Sequence, residues 1–243
     1  YDRENDRIKL KIIHTYGVVK QAEELAGRMH LSAEDTDLAR LIALLHDIGR
    51  FEQLKRYDSF EPGTMDHAAY GVKVLFDEGM IRRFLPDDKW DSIIYTAIAH
   101  HSDYELPEIS DPQTLLHAKL IRDEDKLDNC RVKLVDSTST FINVSEEELG
   151  TQNITQKVYE TVFKNKCILS ADRVTQMDYW VSYIVYFFDI NFKESFDIIA
   201  ENDYLNRIID RIPYSNPVTK EQMENIRVYM QNFINSHTNS QSF

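Results

Sequence analysis

The sequence predicts an all-α protein, and three observations carry that expectation. Glycine (7) and proline (6) are scarce among 243 residues, whereas folds made of many short strands need frequent turns of the kind those residues make. Apolar side chains recur at three- and four-residue spacing through most of the chain, the period of one helix face. Only residues 131–143, rich in β-branched side chains, leave a strand open as the alternative to an irregular connection, so strand content is expected to be very low.

The elements follow in order. Ile8, Leu10, Ile12, Ile13, Tyr16, Val19 and Ala22 share a helical period, which predicts a helix over residues 8–30. Ser32 with Asp35 is a Ser-x-x-acid start signal, and the helix it opens runs through Leu38, Ile42 and Leu45 to Gly49, read as its stop. Residues 50–64, with Glu61-Pro62-Gly63, read as a loop, and a third helix covers about 66–79, ending near Gly79. Pro86-Asp87-Asp88 opens a fourth that reaches His100 and His101. Pro107 and Pro112 bracket a loop before a fifth helix carrying Leu115, Leu116, Leu120, Ile121, Asp125 and Leu127. Beyond it helices are expected at about 145–164, 172–190, 192–212 and 219–236. The expected organisation is a domain over residues 1–140 and a helical extension over 141–243 that packs on it.

Composition narrows the function. Hydrophobic residues at 42% and charged residues at 28% suit a globular chain. The net charge of -13 repels phosphate backbones, so duplex DNA or RNA is not an expected partner. A small anionic substrate requires a local reversal of sign, which bound metal ions supply. Cys130 and Cys167 have no paired spacing, which fits ordinary thiols in a reducing, cytoplasmic setting. The apolar stretch Leu38 to Leu45 is too short for a bilayer and contains Arg40, so no membrane partner is expected. No signal peptide is visible, and Tyr1 at the start suggests a native chain that begins earlier. The sequence leaves the oligomeric state open.

Histidines and aspartates stand where apolar helical runs end. His46-Asp47 closes Leu41-Ile42-Ala43-Leu44-Leu45, and His100-His101 closes a run from Ile93 to Ala99. Polar pairs at buried helix ends are costly unless they are paired or bind metal. Neighbouring helical residues point about 100° apart, which suits two ions about 3.5–4 Å apart better than joint chelation of one. Asp47 is the natural bridge, one carboxylate oxygen for each ion. The order His14, His46-Asp47, Asp125 resembles the H…HD…D pattern of the HD-domain metal-dependent phosphohydrolases. His67 and His100-His101 are similar to the second-metal ligands of dinuclear branches of that family, among them cyclic-dinucleotide phosphodiesterases and dinucleoside-polyphosphate hydrolases. The resemblance covers about residues 10–130. His101 is followed by Ser102 where the cyclic-dinucleotide branch carries Glu, and Ile48-Gly49 follows Asp47 where the alarmone-hydrolase branch carries a Glu-Asp pair.

The resemblance implies an HD-domain helical bundle in which His14, His46, Asp47 and Asp125 hold one ion and Asp47, His67, His100 and His101 a second. A hydroxide between the ions is then the nucleophile. Two divalent ions exceed the charge of Asp47, Asp125 and one hydroxide, so the centre attracts phosphate. Nitrogen and oxygen ligation favours Fe or Mn, with Mg, Co, Ni and Zn compatible. Arg50, one turn past Asp47 where the family often has Lys or Arg, and Lys126, beside Asp125, are the expected catalytic cations alongside Asp47, with Arg122 a weaker candidate. The implied reaction is hydrolysis of a phosphate ester or anhydride, nucleotide-like in kind. A mixed-valence diiron oxygenase on the same scaffold and a nucleotide-binding sensor are the alternatives; the His100-His101 pair favours hydrolysis, because an added ligand closes a position that dioxygen or substrate would use.

Other polar residues read more plainly. His30, His117 and His237 are expected at the surface or hydrogen-bonded in the core. Asp103, Glu105 and Glu108 read as a solvated loop, and Lys55, Arg56 and Tyr57 as an exposed one. Tyr179, Trp180, Tyr183, Tyr186, Phe187 and Phe188 recur at helical spacing, and core packing is preferred to a nucleobase pocket.

Overall fold

The computed structural model describes residues 1–61 and 63–238. Among them there is no strand, so the all-α expectation holds. No helix among the described residues is long and apolar enough to cross a membrane. The chain forms two compact units that divide at Asp128 and Asn129.

The N-terminal unit begins with α1 (Asp6–Arg28), capped by Asn5, whose side chain accepts from the amides of Arg7 and Ile8. Ser32 caps α2 (Ala33–Leu45) by accepting from the amide of Asp35, as its Ser-x-x-acid pattern predicts. Then come α3 (Ile48–Tyr57), α4 (His67–Val72), α5 (Asp91–His100) and α6 (Pro112–Val135), which runs past the division between units. Within this unit α1 packs on α2 and α3, and α4 lies against α3 and α5. Val18, Ala22, Leu25, Ile42, Ala43, Ile94, Ala97, Ile98, Leu120 and Ile121 form its buried interior.

Two expectations are corrected here. The second helix stops at Leu45, and a separate helix covers residues read as loop. Asp47 breaks the run with φ -103° and ψ 18°. Gly49 is not a helix stop. A Cβ at that position would run into the backbone carbonyl of His67 and press on the amide of Gly71, so the glycine lets α3 and α4 touch at their backbones. The third predicted helix is also shorter: a π-helical turn over Lys73–Asp77 follows α4.

From Asn129 onward the second unit is again helical. The strand alternative for residues 131–143 falls away, since α6 continues to Val135 and α7 spans Thr138–Ile142. The segment predicted as one helix over 145–164 is two, α8 (Glu146–Leu149) and α9 (Gln156–Val162). Gly150 ends the first, where a Cβ would collide with the carbonyl of Pro213. Next are α10 (Gln176–Val185), α11 (Lys193–Glu201), α12 (Tyr204–Asp210) and α13 (Pro217–Thr238), with α11 and α12 both packed on α13. Trp180 and Phe187 are fully buried, Tyr183 stands edge-on to Trp180, and Tyr179, Tyr183, Tyr186 and Phe188 are half-buried, so core packing holds for two of the six aromatic residues.

Candidate metal centre

Five segments of the N-terminal unit meet at one buried spot. From α1 come Lys11 and His14, one turn apart on its inner face. His46 and Asp47 form the corner between α2 and α3. His67 is the first residue of α4, His101 caps the C-terminus of α5, and Asp125 and Asp128 lie one turn apart on α6. His14, His46, Asp47, His67 and His101 are all buried, while Asp125 keeps a quarter of its side chain exposed.

The backbone and a carboxylate orient three of the imidazoles. Nδ1 of His46 donates to the carbonyl of Ala43 at 2.7 Å, and Nδ1 of His101 donates to the carbonyl of Ile98 at 2.7 Å. Each bond sets the tautomer, leaving a lone pair on Nε2 that points away from the helix. Nδ1 of His14 stands 2.7 Å from Oδ2 of buried Asp128, and a carboxylate there holds the proton on Nδ1. Gly17 makes that contact available, since a Cβ on Gly17 would occupy the position of the Asp128 carboxylate.

The nitrogens so exposed fit a cation. Nε2 of His46 is buried with no hydrogen-bond partner among the described residues, an arrangement that costs free energy in a protein interior unless something electrophilic meets the lone pair. Nε2 of His14 faces Oδ1 of Asp125 at 2.9 Å, and Nε2 of His67 faces Nε2 of His101 at 3.1 Å. Lone pairs this close repel unless a proton or a metal ion is shared. His14, His46 and Asp125 form one set able to hold an ion, and His46, Asp47 and His101 another.

His46 belongs to both sets, and Asp47, a member of the second, also comes near His14 of the first and His67, which is in neither. Oδ2 of Asp47 lies 3.4 Å from Nε2 of His46 and 3.9 Å from Nε2 of His14. Its Oδ1 lies 3.4 Å from Nε2 of His67 and 3.6 Å from Nε2 of His101. Burial disfavours the charged form of Asp47, but its neighbours, the Lys11 ammonium foremost, outweigh it and hold the carboxyl well below the usual carboxylate range. Burial, followed by the Arg50 guanidinium, pushes His67 well below the ordinary imidazole value, so it is neutral and able to donate a lone pair.

Two expected residues, His100 and Arg122, lie differently from their sequence reading. His100 stands outside both sets: its Nδ1 is 2.6 Å from Asp103, and a third of its side chain is exposed. The 100° step between neighbouring helical residues puts only His101 inside, so the expected His100-His101 pair is split. Lys126 donates to the carbonyl of Arg122 at 3.0 Å, a bond within its own helix. Arg122 is a buried strut and not a surface cation, donating to the carbonyls of His100 at 3.0 Å and Asp103 at 2.7 Å. Arg50 does reach the centre, its Nε 3.6 Å from Oδ1 of Asp47 and its Nη1 bonded to Gln53 at 2.7 Å. Sequence reasoning missed Lys11, whose ammonium pairs with Oδ2 of Asp47, and Asp128. Both were within reach, one standing three residues before His14 and the other three after Asp125, the spacing that shares a helix face.

A helical unit that turns imidazole lone pairs and two carboxylates on one buried point is a metal-binding domain in class. The comparison with known families agrees: residues 12–130 match the HD domain, which is consistent with the HD-domain metal-dependent phosphohydrolase superfamily. Neither curated proteins nor solved structures give a significant match.

Proposed function

We propose that the protein is a metal-dependent hydrolase of a phosphate ester or anhydride, nucleotide-like in kind, working with two divalent ions. The observation that supports this most directly is the division of labour at Asp47, with Oδ2 towards His14 and His46 and Oδ1 towards His67 and His101. His14, His46, Asp47 and Asp125 would hold one ion and Asp47, His67 and His101 the other; Fe or Mn suits that donor set best. Bound ions would supply Lewis-acid activation of water and stabilise charge on the phosphoryl oxygens. The chain's own part is to fix the lone pairs through Ala43, Ile98 and Asp128, and to set Arg50 beside Asp47 to meet a substrate anion. The net charge of -13 supports a small phosphate-containing substrate over a duplex nucleic acid, and the unpaired cysteine spacing supports a cytoplasmic setting.

With His100 outside the ligand sets, the centre has a single histidine from that segment, the pattern of the diiron oxygenases of this scaffold, so that second reaction stays in play. One experiment separates them. Metal-stripped protein, reloaded with Mn, Fe, Co or Mg, is offered nucleotides, dinucleotides and phosphomonoesters with and without dioxygen. Phosphate release independent of dioxygen is expected, and His46→Ala and Asp47→Ala abolish it together with metal uptake. Turnover retained by either variant contradicts the proposal.

A further inference from the structure

Lys11 is a buried ammonium that depends on one carboxylate. Only a tenth of its side chain is exposed, its ion-pair partner is Asp47, and the face of Phe60 lies 6.0 Å from its Nζ. A buried charge persists only while it is paired. Yet Asp47 is also the carboxylate on which both ligand sets converge, with four imidazole nitrogens between 3.4 and 3.9 Å from its oxygens. A carboxylate that gives one oxygen to each of two ions has little capacity left for an ammonium. Lys11 is then left beside a cationic centre without its anion.

We propose that Lys11 is an exchangeable counter-ion that holds Asp47 while the centre is free of metal and binds the phosphoryl oxygens of the substrate once metal ions take that carboxylate. This rests on the function proposed above and adds a named phosphate-binding group to it. Arg50 meets the other oxygen of the same carboxylate, Oδ1 where Lys11 is at Oδ2, so both cations stand beside Asp47. Arg50 is partly committed, through Nη1, to Gln53 and to the carbonyl of Phe60 at 3.4 Å, whereas Lys11 has no second anionic partner among the described residues. The exchange also links the two binding events, because metal uptake frees the group that receives phosphate.

Calorimetry with Mn2+ and with inorganic phosphate tests this on the wild type, Lys11→Met, Asp47→Asn and the double variant, with thermal melts as a check on folding. Lys11→Met should bind Mn2+ at least as tightly as the wild type, while its Mn-loaded form binds phosphate about tenfold more weakly or worse, the loss of roughly one charge-assisted contact. Metal-free Asp47→Asn, in which the ammonium has lost its carboxylate, should bind phosphate at least about tenfold more tightly than the metal-free wild type, and the double variant should lose that gain. The Asp47→Asn comparison stands even if Lys11→Met fails to fold. Phosphate affinity unchanged in Lys11→Met, or no gain in Asp47→Asn, overturns the role of Lys11 and leaves the hydrolase reading intact. A wild type that takes up no Mn2+ overturns both.

Discussion

At the scale of single residues, the centre depends on which atom each histidine presents. Asp128 is the clearest case. It belongs to neither ligand set, yet it decides that His14 offers Nε2 to the cluster. Such outer partners typically change metal affinity by about 10–100-fold. Asp128→Ala is therefore expected to weaken Mn2+ binding by about that factor, read by titration calorimetry, with the fold retained in its circular dichroism spectrum. Gly17→Ala should do the same from the opposite side, because its methyl group would stand where the Asp128 carboxylate stands. Metal affinity unchanged in both would mean that His14 is oriented by something else.

At the scale of elements, His46, Asp47, His67 and His101 arrive at helix ends, whereas His14 and Asp125 project from within α1 and α6. The corner at His46-Asp47 exists because α2 ends and α3 begins across Asp47, and His67 comes close because Gly49 lets α4 lie against α3. His101 sits at the end of α5, whose last carbonyls are gathered by Arg122. Arg122→Ala leaves these carbonyls, of which the His101 one is buried, without the guanidinium, and removes a fully buried side chain, so a clear drop in Tm with weaker Mn2+ binding is expected. Arg122→Lys should recover only part of either, since an ammonium cannot reproduce the guanidinium fork. A wild-type melt for Arg122→Ala would remove the strut from the description. This is also the scale at which sequence reading was uneven. The helical periods of α1 and α6 and the Ser32 cap were legible, because an apolar stripe and a capping side chain act locally. The start of α3 was not. Gly49 carries the residue type of a helix stop, and only the approach of His67 from elsewhere in the chain explains the glycine. His100 and His101 were likewise indistinguishable along the sequence, because the rotation of α5 that selects His101 is fixed by packing.

At the scale of the whole molecule, an acidic chain holds several ionisable groups inside. Glu124 is fully buried on α6 with no hydrogen-bond partner for either oxygen among the described residues, and burial, then the nearby Asp123 charge, pushes its carboxyl well above the usual value of 4.5. The unfolded chain then releases this proton at lower pH than the fold does. Stability from this group is complete below 4.5 and is lost as pH rises towards the higher folded value. Glu124→Gln keeps the shape without the titration, so its Tm should exceed that of the wild type by a margin that widens as pH rises from about 5 to about 8. Equal melts across that range would show that Glu124 is ionised and satisfied. The centre itself is tested most directly by metal stoichiometry. Titration of metal-stripped protein with Mn2+ should saturate at two ions per chain, at one in His67→Ala, and at none in Asp47→Ala. Saturation of the wild type at a single ion, or two ions retained without Asp47, would contradict a centre bridged by that carboxylate.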